Sequence, residues 1–266
     1  MTRYNLILAT DLDGTFLGGS DQERRDLYQA LSARNDALLI FVSGRDIGFI
    51  RELVAEPGMP HPDYVIGDVG TTVVAGRDFQ IVHEVQGPIG ALWDNAGPRV
   101  KDMLAAEPGI RLQPTPFERR VSYWYDPDTL DPRTLAKIED AGFDWLLSAS
   151  TFLDVLPKGV AKGPTLLKLI DTLDLPADRV LVAGDTLNDL SLFETGLKGL
   201  PSAIPNRPGR TAHRQALGLP QHRPRCRRYR RGDPSFRPHL NRGGIPAPSG
   251  RPAAGSRPHR DRKGQG

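Results

Sequence analysis

Residues 6–15 read Leu-Ile-Leu-Ala-Thr-Asp-Leu-Asp-Gly-Thr. The apolar run from Leu6 to Ala9 has the length of a buried parallel strand. It ends in two carboxylates one residue apart, Asp11 and Asp13, followed by Gly14 and Thr15. An extended chain alternates its side chains, so Asp11 and Asp13 share one side. Gly14 then allows a sharp turn away from the strand end. Two carboxylates at the end of a buried strand are costly unless something cationic lies between them. A hard metal such as magnesium, bound to a phosphate, would neutralise them. A solvated acidic turn is the alternative reading of these ten residues taken alone.

Working outward, Asp21 to Asn35 carries Leu27 and Leu31 in a charged background, the i, i+4 spacing of a helix with a narrow apolar face. Ala37 to Val42 is a second buried strand and runs into Ser43-Gly44-Arg45-Asp46. Strand, helix, strand in this order predicts a right-handed βαβ unit and a parallel sheet. Ligands of such sheets sit beyond the carboxyl ends of the strands, where both Asp11 and Ser43 fall. Ser43 also suits the cap of a helix over Asp46 to Ala55. Tyr64 to Val74 reads as strand, glycine turn, strand. From Glu84 to Leu156 the pattern becomes α+β. Pro88 to Ala105 is helical with an interruption at Gly97-Pro98, Val121 to Tyr125 is a strand, and Pro132 to Ala141 is a helix. Trp145 to Leu147 and Phe152 to Leu156 are further strands. Two Lys-Gly pairs, at Lys158 and Lys162, precede a helix over Pro164 to Leu173. A last buried strand from Val180 ends in Gly184, with Asp185, Asn188 and Asp189 following.

Asp11-Leu-Asp13-Gly14-Thr15, Ser43-Gly44-Arg45, Lys162-Gly163 and Gly184-Asp185-x-x-Asn188-Asp189, in this order, resemble the four motifs of the haloacid dehalogenase (HAD) superfamily of phosphatases. The likeness covers residues 4–199 and is nearest the branch of sucrose-phosphate and mannosylfructose-phosphate phosphatases. The resemblance implies an α/β, Rossmann-like core with a parallel sheet and an inserted α+β cap of type 2. Residues 1–83 and 157–199 would form the core, and 84–156 the cap that closes over the site and selects the substrate. It further implies magnesium-dependent hydrolysis of a phosphate monoester, with a sugar phosphate as partner: sucrose phosphate, mannosylfructose phosphate or a glycosyl-glycerate phosphate. Asp11 would attack phosphorus to form an aspartyl-phosphate, and Asp13 would act as acid and then base. Lys162, with Lys158 as the alternative, would pair with Asp11 and the phosphate. Ser43, Gly44, Arg45 and Asn188 would bind the phosphorylated substrate, and Asp11, Asp13, Asp185 and Asp189 would surround the metal, Asp13 through its backbone carbonyl. Asp68-Val69-Gly70-Thr71 stands where the family often has Asn-Gly-Thr. In the cap, Tyr123, Trp124 and Tyr125 could stack on a sugar, with packing of alternate members in the cap's own core as the default. Arg119 and Arg120 could meet an anionic group, with a solvated loop as the default.

The length, 266 residues, suits one large domain or two smaller ones. No apolar run approaches the ~20 residues of a membrane span, and no basic stretch leads into a long apolar one. A single cysteine, Cys226, excludes an internal disulfide framework. A cytoplasmic protein with no membrane partner is expected. The net charge of +3 conceals an asymmetry: residues 200–266 hold 16 Lys+Arg and 2 Asp+Glu, which leaves 19 basic and 30 acidic residues before them. The family pattern stops after Gly199, and the 11 prolines that follow come with no periodicity. Residues 200–266 are therefore expected to be a disordered basic tail. Shifting the reading frame permits Val-Gly-Asn-Ser-Glu-Pro-Ala from Pro201 onward, which is what the family would place there, so a frameshift near codon 200 is expected. The rival is a real tail that grips nucleic acid phosphates. Tyr229 and Phe236, its only aromatic residues, offer little base stacking, so nucleic acid is not the expected partner. A third reading is a catalytically impaired HAD protein, whose strand at Val180 to Ala183 becomes an exposed edge because the late strand is lost. The oligomeric state and the identity of the sugar are left open.

Overall fold

The computed structural model describes residues 4–115 and 117–201. Of residues 200–266, expected to be a disordered tail, only Leu200 and Pro201 fall among these, and both are paired in a strand; the rest of that expectation, with the frameshift, lies outside them. The chain runs β1 (Leu6–Thr10), α1 (Asp21–Ser32), β2 (Ala37–Val42), α2 (Ile47–Val54), β3 (Tyr64–Gly67), β4 (Thr72–Ala75), α3 (His83–Trp93), α4 (Gly97–Leu104), β5 (Ile110–Leu112), β6 (Val121–Tyr125), α5 (Pro132–Asp140), β7 (Phe143–Ser148), β8 (Phe152–Pro157), α6 (Lys162–Thr172), β9 (Val180–Gly184), α7 (Leu190–Phe193) and β10 (Lys198–Pro201). Among the described residues no helix is long and apolar enough to cross a membrane.

Six strands form the core sheet in the order β10-β9-β1-β2-β3-β4. All neighbours are parallel except the hairpin β3–β4. β1 lies between β2 and β9, with Leu8 opposite both Leu39 and Leu181. Both faces are covered, which is why these strands read as nearly unbroken apolar runs. Side chains alternate along β2: Leu38, Ile40 and Val42 face Leu166 and Leu169 of α6, while Leu39 and Phe41 face Leu31 of α1 and Ile50 of α2. Since β10 pairs with β9 in register Gly199–Val182, the strand at Val180 is not an edge, contrary to the third reading of the sequence.

The cap is an antiparallel sheet in the order β5-β6-β8-β7. One face is apolar, with Val121, Tyr123, Trp145, Leu147, Leu153 and Val155 packed on α4 and α5 through Val100, Leu104, Leu135 and Ile138. The helical stretch expected from Pro88 to Ala105 is broken earlier than Gly97-Pro98. Asp94 and Asn95 are both left-handed (φ 45° and 51°) and end α3, and Pro98 then opens α4, where a missing N–H costs nothing. β5, three residues long, has too few positions to show a period and was not expected. Residue 84, the expected start of the cap, falls inside α3. This helix puts Val85 and Ile89 into the core cluster and Trp93 into the cap cluster.

Candidate active site

β1 delivers Asp11 to the carboxyl edge of the sheet, where its N–H donates to the Ala183 carbonyl of β9 (2.9 Å). The chain then turns through Leu12–Phe16 with Gly14 at φ +78°. A Cβ on Gly14 would lie 2.2 Å from Asp185 Oδ2, so only glycine lets this turn press against the end of β9. Thr15 Oγ1 donates to Asp185 Oδ1 (3.1 Å), a contact between residues 170 apart that no local pattern announces.

Lys162 is the first residue of α6 and is completely buried. Its Nζ donates to Asp11 Oδ1 (2.6 Å), Asp189 Oδ1 (2.7 Å) and Asn188 Oδ1 (3.1 Å). The following glycine has a structural reason: a Cβ on Gly163 would sit 1.9 Å from the Ser191 carbonyl, and its N–H donates to Ser191 Oγ (3.0 Å). Lys158, the alternative, is exposed and pairs with Asp144 (2.7 Å). Asp189 Oδ2 accepts from the amides of Asp185 (3.2 Å) and Thr186 (3.0 Å), which anchors the Asp185 loop.

Carboxylate oxygens of Asp11, Asp185 and Asp189 lie within 4.8 Å of one another. Burial pushes the Asp11 carboxyl up to about 6; Lys162 pulls it down and the charge of Asp189 adds to the rise. Burial also raises Asp185, against the Thr15 hydrogen bond. For Lys162 burial opposes the charge, but Asp189 and Asp11 outweigh it and hold the ammonium above its usual range. Lys162 thus pairs with two of the three carboxylates, Asp11 and Asp189, and the oxygen-only donor set of all three suits a hard dication such as magnesium. Asp13 stands apart from this cluster. Its carboxylate is gripped by both arms of Arg45 (2.8 and 2.9 Å), whose guanidinium lies 4.5 Å from the Phe49 ring centroid.

The loop Ser43–Arg45 follows β2. Asp46, not Ser43, caps α2, its Oδ1 accepting from Phe49 N–H (2.9 Å). Ser43 Oγ instead accepts the Arg45 N–H (3.2 Å) and stays at the strand end, fully buried. All three loop carbonyls are held. Val69 N–H takes that of Ser43 (3.1 Å), Asp68 N–H that of Arg45 (2.9 Å), and Arg120 Nη2 that of Gly44 (2.9 Å). The turn that supplies these amides is left-handed at Asp68, Val69 and Gly70 (φ 52°, 59° and 103°). Asn188 spends its oxygen on Lys162 and on Thr186 Oγ1 (2.6 Å), and its amide nitrogen lies 3.6 Å from where a Cβ on Gly44 would stand. Its donor therefore faces the loop. Asp11, Lys162, Asn188 and Ser43–Arg45 meet around one point, an arrangement suited to holding a phosphoryl group against a carboxylate.

In the cap, Tyr123 is buried in the apolar core and Trp124 faces the other way, under the Arg111 guanidinium at 4.2 Å. Arg119 pairs with Glu118 (2.8 Å). Arg120 is not solvated as the default reading had it: it is 6% exposed and meets Asp154 (3.1 Å) and Asp68 (3.5 Å), the protein's own carboxylates. Asp154 was overlooked, although a charge between Leu153 and Val155 in a buried strand was a visible signal.

The family model for sucrose-6F-phosphate phosphohydrolase matches residues 4–203. Glucosylglycerol-phosphate synthase of Pseudomonas anguilliseptica is 43% identical over 198 residues, covering 73% of this chain and 26% of that protein. Mannosylfructose-phosphate phosphatase of Agrobacterium fabrum is 34% identical over 197 residues, covering 71% of this chain and 78% of the relative. Sucrose-phosphatase 1 of Nicotiana tabacum is 31% identical over 204 residues, and the match spans 71% of this chain but 47% of the plant protein. The match thus spans about a quarter of the synthase and about half of the plant enzyme. Among solved structures, the sucrose-phosphatase of Synechocystis sp. PCC6803, in complex with sucrose and phosphate, superposes with a TM-score of 0.67 at 24% identity, covering 76% of this chain and 85% of that one. The core sheet, the inserted cap and the ordered motifs agree with these matches, and the chain belongs to the sucrose-6F-phosphate phosphohydrolase family of HAD-superfamily phosphatases.

Proposed function

We propose that the chain is a magnesium-dependent phosphatase that removes phosphate from a phosphorylated glycoside through an aspartyl-phosphate on Asp11. The observation that carries this reading is the buried Lys162 Nζ, which joins Asp11, Asp189 and Asn188 beside the Ser43–Arg45 loop. Lys162 fixes Asp11 through Oδ1 and supports its ionised form as the nucleophile. Asp11 attacks phosphorus, the bond from phosphorus to the sugar oxygen breaks, and Asp13 protonates that oxygen. Asp13 then takes a proton from water, the water oxygen bonds to phosphorus as the bond from phosphorus to Asp11 breaks, and inorganic phosphate leaves, with the Asp11 carboxylate and the protonated Asp13 restored. For both proton transfers Asp13 must come out of the Arg45 fork, which frees Arg45 for the substrate. Asp11, Asp185 and Asp189, with the Asp13 backbone carbonyl, would hold magnesium, which when bound screens the phosphoryl charge. Ser43, Gly44 and Asn188 hold the phosphoryl oxygens, work that is mainly positioning and electrostatics.

The named relatives point to one substrate class. Glucosylglycerol phosphate, mannosylfructose phosphate and sucrose phosphate are each a glycosyl unit on a phosphorylated partner. Phosphate release from these three compounds, with and without magnesium, tests the proposal. Turnover of at least one is expected, and Asp11→Asn should lower it on the order of 10³-fold or more, the scale of losing a group that bonds covalently to substrate. Turnover near the wild-type level in Asp11→Asn would refute the mechanism.

A further inference from the structure

Arg120 sits immediately before β6, and it is buried where cap meets core. Its Nη1 donates to Asp154 Oδ1 of β8 (3.1 Å), and Ser122 Oγ donates to the same oxygen. Its Nη2 donates to the Gly44 carbonyl (2.9 Å), with Asp68 Oδ1 at 3.5 Å. The Phe117 ring lies against the guanidinium, 3.5 Å from centroid to Cζ. Of the three loop carbonyls, those of Ser43 and Arg45 are held by core amides, and that of Gly44 is held by this cap side chain. A peptide whose carbonyl is held outward turns the N–H of the next residue the other way. That N–H, of Arg45, donates to Ser43 Oγ (3.2 Å), so holding the Gly44 carbonyl helps fix the Ser43 hydroxyl at the end of β2.

Two atoms of this network make no hydrogen bond among the described residues: Arg120 Nε and Asp68 Oδ1. A strut kept only for stability would be fully bonded or apolar, since incompletely satisfied buried ions gain little over packed hydrocarbon. We propose that Arg120 is a positioning residue that couples the cap to the phosphate loop: Asp154 aims the guanidinium, and the guanidinium fixes the Gly44–Arg45 peptide, whose N–H holds the Ser43 hydroxyl in place for phosphate. The inference rests on reading Ser43–Arg45 as the phosphate loop. It makes phosphate affinity depend on Asp154, a cap residue whose hydrogen bonds go to Arg120 and Ser122 and not to the loop.

The test is calorimetric titration of inorganic phosphate into the full-length, magnesium-loaded protein, with a thermal melt of each variant. Arg120→Met and Asp154→Asn should each weaken phosphate binding about tenfold. The double variant should bind no more weakly than Arg120→Met alone, because both substitutions break one chain of contacts. A merely structural role would lower the melting temperature and leave the affinity of the folded fraction unchanged. If Arg120→Met does not fold, Asp154→Asn, which keeps the shape of the side chain, carries the test with Arg120→Lys. Wild-type phosphate affinity in folded Asp154→Asn, or losses that simply add in the double variant, would overturn the coupling. A wild-type protein that binds no phosphate would overturn the reading of the loop, and this inference with it.

Discussion

Lys162 and Asp11 are bonded to each other, yet their removal should have opposite effects on stability. Lys162→Met leaves Asp11 and Asp189 buried without their cation. The expected loss is about 3–5 kcal/mol, the range for breaking one side of a buried ion pair, seen as an earlier urea midpoint. Asp11→Asn instead removes a carboxylate that burial already disfavours. The pH dependence carries the sign. With a folded pKa of about 6 against 3.8, the contribution of Asp11 is fully present below about pH 4 and is lost as pH rises through about 6. Chelator-treated wild type should therefore lose more stability between pH 5 and 7.5 than Asp11→Asn does, and equal slopes would contradict this. At this scale motif order alone singled out Asp11, Ser43, Asn188 and Asp185, and the fold brings them to the carboxyl edge of one sheet. The choice between Lys158 and Lys162 was less legible in the sequence: it depends on α6 starting at Lys162, two residues before the expected Pro164. The Arg45 fork on Asp13 joins side chains 32 residues apart, which no local pattern encodes.

Among the elements, α6 is positioned by a glycine. Gly163→Ala would drive a methyl group into the Ser191 backbone and push the first turn of α6 off α7, carrying Lys162 with it. Phosphate release should fall at least tenfold, with a stability loss of about 1–3 kcal/mol, the range for overpacking. In β6, the Tyr123 hydroxyl is buried in the cap core with no partner among the described residues, and burial pushes its pKa up to about 12. Tyr123→Phe should be neutral or stabilising by about 1 kcal/mol, because it removes an unsatisfied hydroxyl and no bond. A clear drop in melting temperature would show that the hydroxyl has a role. Long, strongly apolar elements were readable; β2 begins and ends where its run of apolar residues does. The helix break at Asp94-Asn95 was hidden, because left-handed Asp and Asn leave no mark as plain as Gly-Pro. The burial of Arg120 was hidden too, because it depends on a partner 34 residues away in the chain.

On the scale of the whole molecule, core and cap have separate apolar clusters joined by polar contacts at the site. If the proposed site of Asp11, Asp185 and Asp189 holds magnesium, the ion added to metal-stripped protein should raise the melting temperature, because the three carboxylates are gathered only in the folded form; at a hundredfold excess over Kd the gain is about 2.7 kcal/mol. Asp185→Asn should abolish most of that rise. An unchanged melting curve in the wild type would argue against the metal site. The architecture was legible because strand, motif and insert alternate in one order along the chain. The seam between the two parts was not, because α3 belongs to both. Gln86 pins the first half of this helix to the hairpin, accepting from Val73 N–H (2.8 Å) and donating to the Thr71 carbonyl (2.8 Å), while Trp93 at its far end sits in the cap. The cap is therefore no interchangeable module with a cut site at residue 84. A chimera carrying a foreign cap must keep α3 native through Ile89 and splice beyond it; otherwise the host core loses Val85 and Ile89 along with the graft.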